Sequence, residues 1–176
     1  MKALVSILLI AFFISEIMVF DFSKKENISN WSITNDNVMG GLSSSKMTVN
    51  DQGKGVFSGT ISTDNSGGFA MTRLPVNIVL HANMSKFVIK LKGDGKKYQF
   101  RIKSKNEQRF WYVQSFQTST KKEELELPLS DFYASFRGNN LDIENFSAKE
   151  IKEIAILIGN KKDEEFKLEI DKITIR

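Results

Sequence analysis

Cysteine is absent from the 176 residues, so a disulfide framework, a thiol nucleophile, a thiolate zinc site and a thiolate-held iron–sulfur cluster are all excluded. The single histidine, His81, cannot build a His-rich metal centre, and a Ser-His-Asp site would have to use that one residue. His81 falls between expected strands, in Val79-Leu80-His81-Ala82-Asn83, and reads as a surface or linker residue. There is no Gly-Lys-Ser/Thr phosphate loop and no D-x-D-x-D-G calcium loop. Asp36, Asp94 and Asp171 are too scattered to nominate a carboxylate pair, so no catalytic residue, cofactor or metal site is expected. Charge of one sign is also lacking. The chain has 25 Lys and Arg against 21 Asp and Glu, interleaved in stretches such as 121–126 and 161–167. A nucleic-acid binder would gather its positive charge on one face, so nucleic acid is not an expected partner.

Apolar residues make up 41% of the chain, and phenylalanine alone contributes 14 residues. After Lys2, the run Ala3–Ile14 is interrupted only by Ser6 and ends at Ser15-Glu16. This is the layout of a secretory leader, and it is shorter than the roughly 20 apolar residues that a spanning helix needs. Residues 1–16 are therefore read as a signal peptide or an uncleaved N-terminal anchor. The expected location is periplasmic or extracellular if the leader is cleaved, and membrane-anchored otherwise. Residues 17–176 are read as one domain.

Within that domain the hydropathy has period two. Phe87, Ile89 and Leu91 alternate with Val88, Lys90 and Lys92; Tyr98, Phe100 and Ile102 with Gln99, Arg101 and Lys103; and Phe166, Leu168 and Ile170 with Lys167, Glu169 and Asp171. Ile173 and Ile175 continue the last stripe after a one-residue shift, which predicts a bulge or bend. Further strands are expected at 17–22, 44–49, 55–62, 68–73, 110–118, 123–127 and 151–158. Turn signals separate them at 51–53, 64–67, 93–95 and 138–140, the segment 93–95 being expected to close a hairpin. Ser147-Ala148-Lys149-Glu150 has capping-box spacing and predicts one short helical turn. About ten short strands at regular spacing imply an all-β fold, a two-sheet jelly-roll β-sandwich.

Sheet formation does not explain the segment 35–45, which contains Asn35, Asp36, Val38, Met39, Gly40, Gly41, Ser43 and Ser45. Its Asn, Asp and Gly content suits either a self-bonded structural loop or a rigid recognition loop at one rim of the sandwich. Gly67, Gly68 and Phe69 suggest close packing of backbone on a neighbouring sheet. Arg137, after an expected loop at 130–135, is a partner for Asp36 or for an anionic ligand. Trp111, Tyr112 and Tyr133 suit either core packing or stacking on a sugar. Four Asn-x-Ser/Thr sequences, at Asn27, Asn30, Asn83 and Asn145, match the glycosylation acceptor pattern.

The chain resembles the complex I intermediate-associated protein 30 family. The resemblance is carried by Phe20-Asp21-Phe22, Trp31, Asn35-Asp36-x-Val38-Met39-Gly40-Gly41-x-Ser43-x-Ser45 and Phe57-Ser58-Gly59. It continues through Gly67-Gly68-Phe69-Ala70-x-x-Arg73, Leu91-x-Gly93-Asp94-Gly95-x-x-Tyr98, Leu127-Pro128-x-x-Asp131-Phe132, Phe136-Arg137-Gly138, Ile156-x-Ile158 and Phe166-x-Leu168-Glu169-Ile170-Asp171-x-Ile173. Where members of the family often carry a Trp before the Leu-Pro strand, this chain has Lys121-Lys122-Glu123. The resemblance implies a galactose-binding-like jelly roll related to carbohydrate-binding modules. It also implies a non-enzymatic, chaperone-like assembly factor whose partner is a respiratory-complex assembly intermediate. An exported glycan-binding module is the alternative. The expected recognition residues are those of the 35–45 segment, supported by Gly67, Gly68, Phe69, Arg73 and Arg137.

Overall fold

The computed structural model describes residues 16–24 and 28–176. The expected leader lies outside the described residues, apart from Glu16. The described strands are β1 (Ile17–Asp21), β2 (Ser32–Asn35), β3 (Ser44–Val49), β4 (Gly55–Ile61), β5 (Ala70–Val79), β6 (Lys86–Lys92) and β7 (Lys97–Lys103). They continue with β8 (Trp111–Gln117), β9 (Lys122–Pro128), β10 (Tyr133–Phe136), β11 (Asn139–Asn140), β12 (Glu150–Ile158) and β13 (Glu164–Ile175). All pairings among them are antiparallel. One sheet runs β3-β4-β13-β6-β9, with β1 also on β13; the other runs β11-β10-β8-β7-β12-β5-β2. The chain is the all-β, two-sheet jelly roll that the period-two stripes predict.

The stripes meet in a single interior. Phe57, Phe87, Phe166, Leu168 and Ile170 from the first sheet face Tyr98, Phe100, Ile102, Ile154, Ile156 and Ile158 from the second. Phe87 and Phe100 pack with ring centroids 4.9 Å apart, and neither is exposed. The shift expected after Ile170 is a register break on β13 between Ile170 and Lys172. It lets Ile173 and Ile175 point inward where an unbroken pleat would have turned them to solvent.

Four local expectations are corrected. First, Gly93-Asp94-Gly95 does not close a hairpin: β6 belongs to one sheet and β7 to the other, so the turn crosses between layers. Gly93 is required there because a Cβ would stand 2.1 Å from the Thr118 side chain. Second, 147–150 is not helical: Glu150 already pairs with Val79, and the apolar run of β12 starts at once, leaving no amphipathic stretch to extend a helix. Third, the expected loop at 130–135 is a 3-10 turn, Leu129–Asp131, followed by β10. Fourth, Ser32–Asn35 is a strand, although its sequence shows no alternation; pairing with β5 imposes it. Beyond β10, Arg137 and Gly138 both have positive φ, 51° and 82°, as a type I′ hairpin turn requires.

Candidate functional site

Asp36 is 1% exposed, and its carboxylate is surrounded by donors. The Ser43 amide donates to it at 3.0 Å, and the Ser43 hydroxyl donates as well. The amides of Gly68 and Phe69 donate at 2.6 and 3.2 Å. Burial pushes the carboxyl upward, but these donors outweigh burial and hold it below its ordinary range. Asn35, also buried, accepts a hydrogen bond from the Ser45 hydroxyl at 2.6 Å. Val38 and Met39 belong to the 3-10 turn Asp36–Met39, which Gly40 closes in the left-handed region at φ 88°. The segment 35–45 is thus bound to itself and to the 67–69 turn by side chains directed inward.

Two glycines make room for the carboxylate. A Cβ on Gly41 would lie 2.3 Å from Asp36 Oδ1, and one on Gly67 would lie 2.7 Å from Oδ2. Gly41→Ala is therefore expected to cost about 2–4 kcal/mol by displacing the carboxylate from its donors, as read by urea denaturation. The expected Asp36–Arg137 pair does not form, because Asp36 is saturated by closer donors. Arg137 is exposed on the β10–β11 turn, where its guanidinium sits over the Phe136 ring at 5.4 Å.

The clamp on the Phe69 amide has a consequence on the outside of the molecule. Phe69 and Trp111 pack against a second apolar cluster of Met71, Ala155 and Leu157, separate from the interior core. Strand alternation places this cluster on the outward face of the seven-stranded sheet, opposite the stripe Ala70, Leu74, Ile154, Ile156 and Ile158. Three cross-strand rows define the face. One runs Thr34, Met71, Leu157, Gln99 and Ser115; the next Ser32, Arg73, Ala155, Arg101, Val113 and Tyr133. The third contains Glu153 opposite Lys103 on one side and Trp111 opposite Ser135 on the other.

Charged groups surround the half-buried Trp111. Lys103 Nζ lies 4.4 Å from its ring centroid and the Arg73 guanidinium carbon 5.6 Å. Glu153 holds both cations: Arg73 Nη2 is 2.6 Å and Lys103 Nζ 3.2 Å from its carboxylate, with Arg73 Nε donating at 2.7 Å. Arg101 has no carboxylate in reach among the described residues, and its Nε and Nη2 donate to Gln99 Oε1 at 3.0 and 2.6 Å. Burial lowers its pKa to about 10, so it still carries its charge at neutral pH. Removing Glu153 by alanine substitution leaves two crowded cations unpaired. It is expected to destabilise the fold by about 1–3 kcal/mol and to shift Trp111 fluorescence.

Of the residues singled out in the sequence, Phe69, Arg73 and Trp111 reach this face, with Tyr133 in the same row as Arg73. Tyr112 turns the other way and packs on Phe146 at 5.3 Å. Gln99, Arg101, Lys103 and Glu153 were not expected, because each occupies an ordinary polar position on its own strand. One signal was available: Ile154–Ile158 is apolar without alternation, as in a strand covered on both faces.

The two-sheet jelly roll is also the fold of solved carbohydrate-binding modules. A family 11 carbohydrate-binding module from Clostridium thermocellum, solved with a β-1,3-1,4-mixed-linked tetrasaccharide, superposes with a TM-score of 0.66 at 23% identity, over 91% of this chain and 94% of that one. An exo-β-agarase superposes with a TM-score of 0.54 at 11% identity, over 90% of this chain and 25% of the agarase. At these identities the likeness is one of fold. The sequence family is narrower. The model of the family described as complex I intermediate-associated protein 30 matches residues 20–170, and the chain belongs to that family. It is 27% identical to the mouse mitochondrial protein of that name over 182 residues, covering 90% of this chain but only 55% of the mouse protein.

Proposed function

We propose that this chain is a non-catalytic binding protein of the assembly-factor type, and that it docks its partner on the outward face of the seven-stranded sheet. One observation carries the reading. A sandwich needs only one apolar face per sheet, yet here a second apolar cluster lies on the outer side, with Met71, Ala155 and Leu157 buried under the half-exposed Phe69 and Trp111. The 35–45 motif acts as the scaffold, since Asp36 fixes the backbone from which Phe69 reaches the cluster. Family membership supports a protein partner, an intermediate in the assembly of NADH:ubiquinone oxidoreductase.

A photo-crosslinking residue at Ser115, on this face, tests the reading in the native cell against one at Lys46 on the other sheet. Respiratory-complex subunits captured from Ser115 alone are the expected result; equal capture from both positions overturns it. A glycan is the second reading, favoured by a half-buried indole on the same sheet face as Gln99, Arg101 and Tyr133, groups that hydrogen-bond hydroxyls. Retardation in a mixed-linkage β-glucan gel that disappears in Trp111→Ala would move the site to that reading.

A further inference from the structure

The charges on the docking face do not balance. Its three rows hold Arg73, Arg101 and Lys103 against one carboxylate, Glu153, which the first and last already share. Arg101 is left with a neutral partner, Gln99. On the other sheet Lys54 is paired with Asp171, Lys86 with Glu126 and Lys90 with Glu124, while Lys46, Lys92 and Lys122 lie at exposed positions where water solvates them. A half-buried guanidinium bonded only to an amide has lost water without gaining an acid, which is costly unless a ligand supplies one. Arg101 also lies between Ala155 and Val113 in its row, so an anion reaching it comes with apolar neighbours.

We propose that Arg101 receives a carboxylate from the docked partner, and that the partner segment is an acidic peptide whose adjoining apolar side chain sits on the half-exposed Trp111 and Phe69. This rests on the reading that the face is the docking surface. Recognition then has two parts. Apolar contact with Trp111 and Phe69 supplies area, and the Arg101 fork selects a carboxylate over an amide.

The test uses the full chain and two fluorescein-labelled peptides, Glu-Leu-Glu-Leu-Glu and its glutamine analogue Gln-Leu-Gln-Leu-Gln, followed by anisotropy. The acidic peptide is expected to bind at least about tenfold more tightly than the analogue, with affinity falling as salt rises. Arg101→Met, which keeps the aliphatic stem, is expected to erase the preference, and Arg101→Lys to restore part of it. Equal binding of the two peptides, or a preference untouched in Arg101→Met, overturns the proposal. So does binding of an oligogalacturonate where neither peptide binds. The two readings fail separately. If Trp111→Ala abolishes crosslinking from Ser115 while Arg101→Met leaves it intact, the docking face stands and the carboxylate site falls. If neither variant changes it, both fall.

Discussion

Asp36→Ala is expected to lower stability at neutral pH by about 3–5 kcal/mol in urea denaturation, a large part of the roughly 5–15 kcal/mol that holds a domain of this size together. Three backbone N–H groups, on Ser43, Gly68 and Phe69, lose a charged acceptor together, and the Ser43 hydroxyl loses its partner. Each stranded donor costs about 1–3 kcal/mol, and water reaching the loop rim offsets part of the sum. The loss has a pH signature. Because the folded-state pKa of Asp36 is lowered, its contribution is fully present above the unfolded value near 3.9 and disappears as pH falls through the folded value. Wild type and Asp36→Ala should therefore differ most at neutral pH and converge in strong acid. A difference that stays constant down to pH 2 would contradict the clamp.

Trp111→Ala is expected to weaken partner binding by about 2 kcal/mol or more, roughly 30-fold, while costing no more than about 2 kcal/mol of stability. The separation of these effects follows from position. Phe100 is fully enclosed, and its truncation should cost about 3–5 kcal/mol through a cavity. Trp111 is half-exposed on the outer cluster, so its removal opens the surface without hollowing the interior. The loss of an anchor rather than of the fold would be seen as unchanged far-ultraviolet dichroism together with lost crosslinking from Ser115. Full capture by the variant would reject the face as the docking site.

These two variants also separate the two jobs that the family motif and the sheet face perform. Asp36 acts on Phe69 through its amide, so its loss should disturb the face from one end as well as lower stability. Trp111 acts at the surface. A binding defect in Asp36→Ala that exceeds the fraction unfolded at the assay temperature would show that the clamp positions the docking surface.

Most strands were legible because their residues alternate, and alternation is a local property. β3 was expected and found at 44–49, and the bulge in β13 followed from the misphased Ile173 and Ile175. β2 was not legible: Ser-Ile-Thr-Asn carries no stripe, and only its pairing with Arg73, Thr72, Met71 and Ala70 makes it a strand. The hairpin expected at Gly93–Gly95 failed for a related reason. Turn chemistry marks where the chain reverses, but the partners of β6 and β7 are β9, β13, β8 and β12, chosen by core packing.

By itself, the amino-acid order determined the fold class, the aromatic interior and the position of the Asn-Asp-Gly-Gly loop, since periodicity, side-chain size and backbone freedom belong to each residue and its near neighbours. Only the tertiary structure decided that Asp36 turns inward to bind Gly68 and Phe69, and that Trp111, Lys103, Glu153, Arg73 and Arg101 share one face. Those residues come from four strands spread over 81 positions of chain, from Arg73 to Glu153. Their meeting depends on register across the sheet, and register is set by the burial of the opposite face.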